Sequence, residues 1–451
     1  MTIYDRLNKA ITREMLDGNF PGLSIATNIA TNSNDDALFT FCYGSMDKNG
    51  LLPVAPDALF GVASLTKFLT ALIIMQAERL GLLSVTQPVA HYYPELHCAQ
   101  DGKMRLEHLL THSSGLPGLS CRFFAKDLAE KIQSGSKPQL LTTADLISHI
   151  NELEVELLAP PGALHSYSNE GYCILGGIIE TVFQRPYPEV AKKLVLGPLS
   201  MHNSAIGGQQ AQSFGAIATP LQHTGQGLLE LPYWDAPLFY PAGGLLTSPS
   251  DLIRLLSVLK GDSELLSQEQ CQVMMTRLQA IASRPSSTFG YGYGLEIEQL
   301  RGDNTLAWHT GQRPGLSSFF GIVPELQLSV AIAINTSDAP TAHLGHTILN
   351  DILSDFTEID LPWLTTDYPD DPQRENPDQL RGRYGSLELG NVDVVYCDDQ
   401  LILQTSAGSH PFEFQGKQHG AVAGQTFQFI VNNQHRCTGL AFGLRVLPRL
   451  P

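Results

Sequence analysis

The longest apolar pattern in the chain runs from Ser64 to Leu80 and is closed by Gly81. Apolar residues recur there on nearly every face of a 3.6-residue period, which predicts a helix buried all round at the centre of a domain. Four long polar side chains interrupt the run, so it does not predict a membrane span: Lys67, Gln76, Glu78 and Arg79.

The rest of the pattern predicts helices at residues 4–17, 170–183, 250–260 and about 340–355. Short apolar runs bounded by turn residues predict six strands: Leu23–Ala30, Ala37–Tyr43, Tyr291–Glu298, Thr305–His309, Ser317–Val323 and Leu328–Asn335. Strands lie near both ends of this region, with helices between them. This order predicts one mixed α/β domain in which strands from both ends of the region pair to complete a single sheet.

The composition changes after residue 356. Residues 357–379 are rich in Pro, Asp and Thr and predict a linker. Residues 380–451 alternate short apolar runs with turns, which predicts an antiparallel barrel or sandwich with these strands: Val392–Tyr396, Leu401–Gln404, Phe412–Phe414, Phe427–Val431 and Gly439–Phe442. We therefore expect a domain at 1–356, a linker at 357–379 and a β-barrel domain at 380–451. Removal of 366–451 should then leave a folded core.

Composition narrows the classes of partner and compartment. The 451 residues include 28 Lys and Arg against 45 Asp and Glu, a formal net charge of −17, which argues against nucleic acid and anionic membrane surfaces. Residues 1–6 contain no basic segment followed by an apolar stretch, so we expect a cytoplasmic protein, or a periplasmic one if the chain is a mature form. The histidines and the seven cysteines lack metal-site spacing, so no metal or cofactor is expected.

Candidate chemistry begins with the Ser-Leu-Thr-Lys sequence at 64–67, where the central helix starts. A lysine three residues after a serine lies on the same helical face, so the two side chains can meet. The positive helix end and burial disfavour the charged amine there, so Lys67 can accept a proton and Ser64 can act as a nucleophile. The same spacing recurs at 134–137 in a Gly/Ser loop and at 257–260 at a helix end, where nothing predicts an activated serine.

A single Tyr-x-Asn triplet at residues 167–169 follows a Pro-Pro-Gly turn and precedes a predicted helix. A tyrosine hydroxyl beside a lysine ammonium loses its proton more readily, so Tyr167 is a candidate base. Asn169 can donate and accept a hydrogen bond at once, which suits a substrate amide. The alternative is a helix-capping turn in which Asn169 caps the helix and Tyr167 only packs.

The triplet His309-Thr310-Gly311 comes at the end of a predicted strand. The same triplet at 223–225 lies in a Gln/Gly-rich segment where no strand is predicted, so we favour the later copy. A small residue on an edge strand lets a ligand backbone approach closely, which is the role expected for Gly311.

These three ordered motifs resemble those of the serine β-lactamase and penicillin-binding peptidase superfamily. The resemblance is to the branch that holds class C β-lactamases, serine DD-peptidases, D-aminopeptidases and esterases. It covers roughly residues 15–350 and includes residues 111–117, residues 241–245 and Asn335. It implies an α/β (α+β) fold, an antiparallel sheet flanked by helices with a helical subdomain at about 84–240. Residues 380–384 and the strand spacing make the C-terminal part similar to the lipocalin-like antiparallel β-barrel of some of these peptidases.

The resemblance also implies the roles of the motif residues. Ser64 attacks a carbonyl and forms an acyl-enzyme, while Lys67 and Tyr167 move its proton. The implied oxyanion hole consists of the backbone N–H groups of Ser64 and Gln312. The implied substrate-binding residues are Asn169, His309, Thr310 and Gly311. The expected partner is a small-molecule or peptide substrate, and the oligomeric state stays open.

His309 departs from the class C β-lactamases that the chain resembles, because they carry lysine there. A histidine with a pKa near 6.5 is mostly neutral at pH 7 and grips a β-lactam carboxylate less strongly than a permanent cation. We therefore expect a hydrolase of amide or ester bonds in D-amino-acid-containing peptides or small esters, of the D-aminopeptidase, DD-peptidase or esterase type. The alternatives are a class C-like β-lactamase, a peptide-cyclising thioesterase, and a catalytically silent penicillin-binding or scaffold protein.

Overall fold

The computed structural model describes most of the chain: residues 5, 8, 9, 11, 12, 20–30, 36–119, 142–211, 217–356 and 377–450, without 234, 277, 285–287, 338, 387, 398, 407, 417 and 433. Two compact units result. The first comprises Met1–Val85, Cys173–Thr276 and Gly292–Leu364, and the second comprises Thr86–Tyr172, Arg277–Tyr291 and Thr365–Pro451. Most of the predicted helix at 4–17 and of the predicted linker at 357–379 lies outside the described residues.

The first unit is built on an antiparallel sheet. The strands up to residue 334 are β1 (Gly22–Ala30), β2 (Asp36–Gly44), β3 (Phe60–Gly61), β4 (Ala205–Ile206), β5 (Leu221–Thr224), β6 (Gly227–Glu230), β7 (Leu245–Thr247), β8 (Phe289–Tyr291), β9 (Glu296–Gln299), β10 (Thr305–Arg313), β11 (Leu316–Val323) and β12 (Leu328–Ile334). The main sheet of this unit has the order β2-β1-β12-β11-β10-β9, with β3-β7-β4 and β5-β6 as smaller sheets. Strand β8 belongs to the second unit.

Both ends of the first unit meet in the middle of this sheet. In the register, Leu23 of β1 and Ser317 of β11 both lie opposite Ile334 of β12. Strands β11 and β12 are buried at every position, as expected for near-continuous apolar runs that are covered on both faces. The prediction of a mixed α/β sheet that joins the two ends of the region is confirmed.

One predicted strand, Tyr291–Glu298, is interrupted between β8 and β9. Gly294 adopts a φ of +74°, which ends the extended conformation. A Cβ at this position would lie 2.9 Å from the carbonyl oxygen of Lys67, so the glycine also lets the turn approach the central helix. Backbone proximity therefore overrides the local preference of this segment for a strand.

The central helix spans Thr66–Arg79, and every residue from Thr66 to Ala77 is buried, as the apolar pattern predicts. The helix predicted at 250–260 is observed as Pro249–Ser257 followed by a 3₁₀ turn, and Ser248 caps it by accepting from the Asp251 N–H at 3.2 Å. The other helices and helical turns of this unit are Ala63–Leu65, Tyr187–Ala191, Lys192–Leu196, Gly208–Ala211, Pro237–Phe239, Tyr240–Gly243, Val258–Lys260, Gln268–Met275, Arg301–Asp303, Pro324–Leu326 and Thr341–Phe356.

The second unit combines short helices with nine strands in the described part of residues 377–450. Its helices and turns are Val89–His91, His97–Ala99, Leu106–Leu110 and Thr143–Glu152, while the helix Asn169–Phe183 begins here and continues into the first unit. The strands are β13 (Gly382–Ser386), β14 (Gly390–Cys397), β15 (Gln400–Thr405), β16 (Gly408–Pro411), β17 (Glu413–Phe414), β18 (His419–Val422), β19 (Gln425–Val431), β20 (Cys437–Phe442) and β21 (Arg445–Pro448). A helical turn, Pro377–Leu380, precedes them.

The C-terminal strands form two antiparallel sheets around one apolar core. The orders are β13-β14-β15-β16 and β17-β18-β19-β20-β21, and a bridge between Tyr384 and Arg449 links the first and last strands. Tyr384, Phe427 and Phe429 are wholly buried in this core. This arrangement agrees with the predicted β-barrel-like domain. Among all described residues, no helix has the length and apolarity needed to span a membrane.

Candidate active site

Ser64 lies in a sharp turn that leads into the central helix. A 3₁₀ turn spans Ala63–Leu65 and the α-helix begins at Thr66, so Ser64 stands just before the helix. Ala63 has a φ of +47°, which is rare for a residue with a side chain. Thr66 stabilises the turn because its Oγ1 donates to the Ala63 carbonyl at 2.6 Å. A strained backbone held in this way presents one side chain in a fixed position.

Lys67 contacts Ser64 directly. Its Nζ donates to Ser64 Oγ at 3.1 Å and to the carbonyl of Ala242 at 2.8 Å, and its side chain is wholly buried. The two side chains therefore meet as the serine-lysine spacing predicts. A buried amine within hydrogen-bond distance of a hydroxyl can take up the hydroxyl proton when the amine is neutral.

The other serine-lysine pairs differ from this one. Ser257 Oγ donates to the carbonyl of Arg254, in its own helix, at 2.7 Å. The copy at 134–137 lies outside the described residues. The repeated His-Thr-Gly triplet at 223–225 begins inside strand β5, which spans Leu221–Thr224, so the expectation of no strand there was wrong. That strand belongs to a two-stranded hairpin with β6.

His309 and Thr310 lie on β10, and His309 is buried. Burial first, and the nearby Lys67 charge second, lower the pKa of His309 to about 3. Its Nδ1 lies 2.5 Å from the carbonyl oxygen of Thr310, which can only accept, so the neutral ring carries its proton on Nδ1. The imidazole is therefore uncharged throughout the neutral pH range, whereas a histidine with the ordinary pKa of 6.5 would be partly charged there.

Gly311 packs against the turn that carries Ser64. A Cβ there would lie 2.1 Å from the Val62 carbonyl oxygen and 2.4 Å from Ser318 Oγ. Ser318 Oγ donates to the same Val62 carbonyl at 2.8 Å. The close approach at this glycine is thus made by the protein's own backbone, and it fixes β10 beside Ser64.

The backbone N–H of Gln312 points away from β11. A two-residue turn, Pro314–Gly315, makes Arg313 and Leu316 the hydrogen-bonded pair that closes the hairpin. The next pair, Gln312 and Ser317, is then of the type whose N–H groups face outward. The pairing of β10 with β9 ends at Trp308, before this segment. The outward edge of β10 therefore offers a donor of the kind that an oxyanion requires.

Tyr167 and Asn169 belong to the second unit, where a turn precedes the helix Asn169–Phe183. Ser168 provides the capping contact, because its Oγ accepts from the Gly171 N–H at 3.4 Å. Tyr167 is buried, and its ring centroid lies 4.0 Å from that of His112. The turn is thus ordered on both sides of the tyrosine, and its helix-capping role belongs to Ser168.

Histidines and carboxylates that the motifs did not identify surround this turn. His112 accepts from the Ser168 N–H at 3.1 Å through Nδ1. Burial, followed by the charge of Arg445, lowers the pKa of His165 to about 3. Burial and then the charge of Glu388 raise the pKa of Glu170 to about 6. His112 falls within the family-like stretch 111–117, whereas Arg445 and Glu388 gave no sequence signal.

The described residues contain no cluster of three or more side chains suited to a metal ion. Of the residues that the motifs identify, Ser64, Lys67, His309 and Gly311 lie together in the first unit. Tyr167 and Asn169 share one turn of the second unit.

Comparisons with known proteins match most of the chain. A family model described as Beta-lactamase matches residues 7–352. Protein flp of Staphylococcus aureus strain N315 is 24% identical over 355 residues, 76% of this chain and 66% of that protein, so the chain spans slightly under two thirds of that relative.

Two solved structures share the fold. The octameric penicillin-binding protein homologue from Pyrococcus abyssi is 25% identical with a TM-score of 0.69, and the match covers 99% of this chain and 100% of that one. The D-amino acid amidase from Ochrobactrum anthropi SV3, solved with L-phenylalanine amide, is 23% identical with a TM-score of 0.63, covering 78% of this chain and 100% of that one.

Proposed function

Because the chain belongs to the beta-lactamase family, we propose that it is a serine hydrolase that cleaves amide or ester bonds through an acyl-enzyme. The observation that carries the proposal is the 3.1 Å contact between Lys67 Nζ and Ser64 Oγ, made by a wholly buried lysine. A hydroxyl held against an amine is the arrangement that activates a serine.

The reaction has two halves in which the same groups act. Ser64 Oγ bonds to the substrate carbonyl carbon while its proton passes to Lys67 or Tyr167. That proton then moves to the leaving amine or alcohol as the C–N or C–O bond breaks. Water next attacks the ester carbon and regenerates the Ser64 hydroxyl, with the released acid as product. The N–H groups of Ser64 and Gln312 stabilise the oxyanion in both halves.

The substrates that we propose are amides of D-amino acids, peptides that contain them, and small esters. Asn169 would hold the substrate amide, and His309, Thr310 and Gly311 would line the substrate along β10. The neutral state of buried His309 supports this class, because it supplies no fixed cation for the carboxylate of a β-lactam. The fold shared with a D-amino acid amidase gives further support.

A covalent label tests the nucleophile. The native protein, Ser64→Ala and Ser257→Ala are each treated with a fluorophosphonate probe and digested for mass spectrometry. We expect the label on Ser64, none in Ser64→Ala, and unchanged labelling in Ser257→Ala, the matched control from the same spacing. Equal loss in both variants, or a native protein that never reacts, would refute the assignment.

Turnover then tests the substrate class. The native protein is assayed with D- and L-amino acid amides, a peptide ending in D-Ala-D-Ala, p-nitrophenyl acetate and nitrocefin. Faster cleavage of D- than of L-amides supports the proposal. Turnover of nitrocefin above all others would favour a β-lactamase instead.

A further inference from the structure

The turn between β20 and β21 lies directly against the Tyr167 turn, inside the second unit. The Tyr167 N–H donates to the Leu444 carbonyl at 2.8 Å, and the Val446 N–H donates to Ser166 Oγ at 3.3 Å. One hydrogen bond at Leu444 and one at Val446 therefore fix the start of β21 beside Tyr167, the candidate base.

The same turn is held from two further directions. The Gly443 N–H donates to the Thr426 carbonyl at 2.9 Å, and the Gly443 carbonyl accepts from Ser283 Oγ. Thr426 Oγ1 in turn donates to Ser283 Oγ at 3.3 Å. With the backbone fixed by several partners, the fold places residue 445 beside Tyr167.

Arg445 packs its guanidinium over the Tyr167 ring. The Cζ atom lies 4.8 Å from the ring centroid, within the range of a cation–π contact. Glu388 holds the guanidinium through two bonds, from Nε at 2.6 Å and from Nη2 at 2.9 Å. The side chains of this pair are only 24% and 10% exposed, so solvent screens their charges less than those of a surface pair.

Glu388 packs against Gly118 within the second unit. A Cβ at Gly118 would lie 2.0 Å from Glu388 Oε2, so the carboxylate occupies the space that a side chain would need there. Other titratable neighbours of the Tyr167 turn among the described residues include His112, His165 and Glu170. His112 accepts a hydrogen bond through Nδ1 and His165 is neutral in the physiological range, so neither ring adds a charge to those of Arg445, Glu388 and Glu170.

We propose that Arg445 is a positioning residue for Tyr167: its guanidinium holds the phenol ring in place and its positive charge favours the deprotonated phenol. The negative charge of Glu388 partly compensates that of Arg445 and so reduces the effect of the guanidinium on the phenol. The inference rests on the proposed function in so far as Tyr167 moves the Ser64 proton. It assigns to the C-terminal strands a part in the chemistry, since Arg445 lies on β21.

The two partners of the pair should act in opposite directions. The charge of Arg445 lies over the phenol ring, so its removal should make the Tyr167 proton harder to lose, by about one pH unit. Removal of Glu388 leaves the positive charge of Arg445 uncompensated and makes the proton easier to lose. A purely structural contact predicts no such opposition, since loss of either partner would disturb the turn in the same sense.

The test measures ionisation of Tyr167 directly. The ultraviolet absorbance of phenolate is recorded against pH without substrate, with Tyr167→Phe subtracted, for the native protein, Arg445→Gln, Arg445→Lys and Glu388→Gln. Because Glu170 responds to Glu388, the last variant is repeated in a Glu170→Gln background. The matched control is Arg383→Gln, which breaks the bidentate pair with Asp393 on the same set of strands, where the side chains are 57% and 41% exposed.

We expect the Tyr167 midpoint to rise by about one pH unit in Arg445→Gln, to fall in Glu388→Gln, and to stay in place in Arg445→Lys and Arg383→Gln. The pH limb of the fluorophosphonate rate should move in parallel, with little change in KM for p-nitrophenyl acetate. Unmoved midpoints in Arg445→Gln and Glu388→Gln, or shifts of both in the same direction, overturn the inference. If Arg445→Gln does not fold, Glu388→Gln still decides it, because a midpoint that stays in place or rises in that variant contradicts the inference. Failure of the native protein to label Ser64 would refute the proposed function alone, because the absorbance needs no catalysis.

Discussion

Glu170 is a carboxyl group that the fold keeps partly protonated, and replacing it with glutamine should stabilise the protein. The side chain is buried, and burial followed by the charge of Glu388 raises the pKa of Glu170 from 4.5 to about 6. Each pH unit corresponds to about 1.4 kcal/mol, so the ionised carboxylate destabilises the folded state by about 2 kcal/mol well above pH 6. Below pH 4.5 the carboxyl is protonated in both states and the penalty vanishes.

A glutamine side chain can keep the contact with Ser168. Ser168 Oγ donates to Glu170 Oε2 at 3.0 Å, and an amide oxygen can accept the same bond. Glu170→Gln should therefore raise Tm by a few degrees above pH 6 and leave it almost unchanged near pH 4.5. Thermal unfolding followed by circular dichroism at both pH values measures this difference.

A matched control separates burial from hydrogen bonding. Glu78 Oε1 also accepts from a serine hydroxyl, that of Ser84 at 3.1 Å, and from the Val85 N–H at 2.8 Å, but it is only half-buried. The gain that is due to burial is the difference between Glu170→Gln and Glu78→Gln. An equal gain at both pH values, or a loss at both, would show that titration of Glu170 does not set the stability here.

Two further predictions concern packing. Gly311→Ala should destabilise the protein by about 3 kcal/mol or more and abolish labelling of Ser64, because its Cβ would lie 2.1 Å from the Val62 carbonyl oxygen. The control Gly225→Ala, with no atom within 4 Å of the added Cβ, should change stability by less than about 0.5 kcal/mol, and similar losses in both would contradict this reasoning. The sequence alone leads us to expect a folded core after removal of 366–451, but the structure leads us to expect that this truncation is insoluble or does not label Ser64, because Tyr167 and Ser166 lose their bonds to Leu444 and Val446. A soluble fragment with the native labelling rate would show that residues 86–172 hold Tyr167 without the C-terminal strands.

Local patterns predicted the elements of the first unit well. The run that begins at Ser64 specifies a buried helix by its apolar faces alone, and β11 and β12 follow from uninterrupted apolar runs. The serine-lysine contact also follows from helical spacing, since one turn separates Ser64 from Lys67. These features depend on residues that are close in sequence, where periodicity carries the information.

Contacts between segments that are distant in sequence could not be predicted from local patterns. The break at Gly294 depends on the backbone of Lys67, and the need for glycine at 311 depends on Val62. The pKa of His309 lies far below that of an exposed histidine because the side chain is buried, and burial arises only when distant segments assemble. Arg445 and Glu388 lie in short strands and turns whose local pattern says only that they are polar. Their position beside Tyr167 is fixed by pairings with partners hundreds of residues away.

The hydrogen bond between Val446 and Ser166 joins residues that are 280 positions apart. A ribosome that adds 5 to 20 residues each second makes the first partner roughly 15 to 55 seconds before the second. During that interval the tyrosine turn lacks the hydrogen bonds to Leu444 and Val446 that hold it in the folded protein.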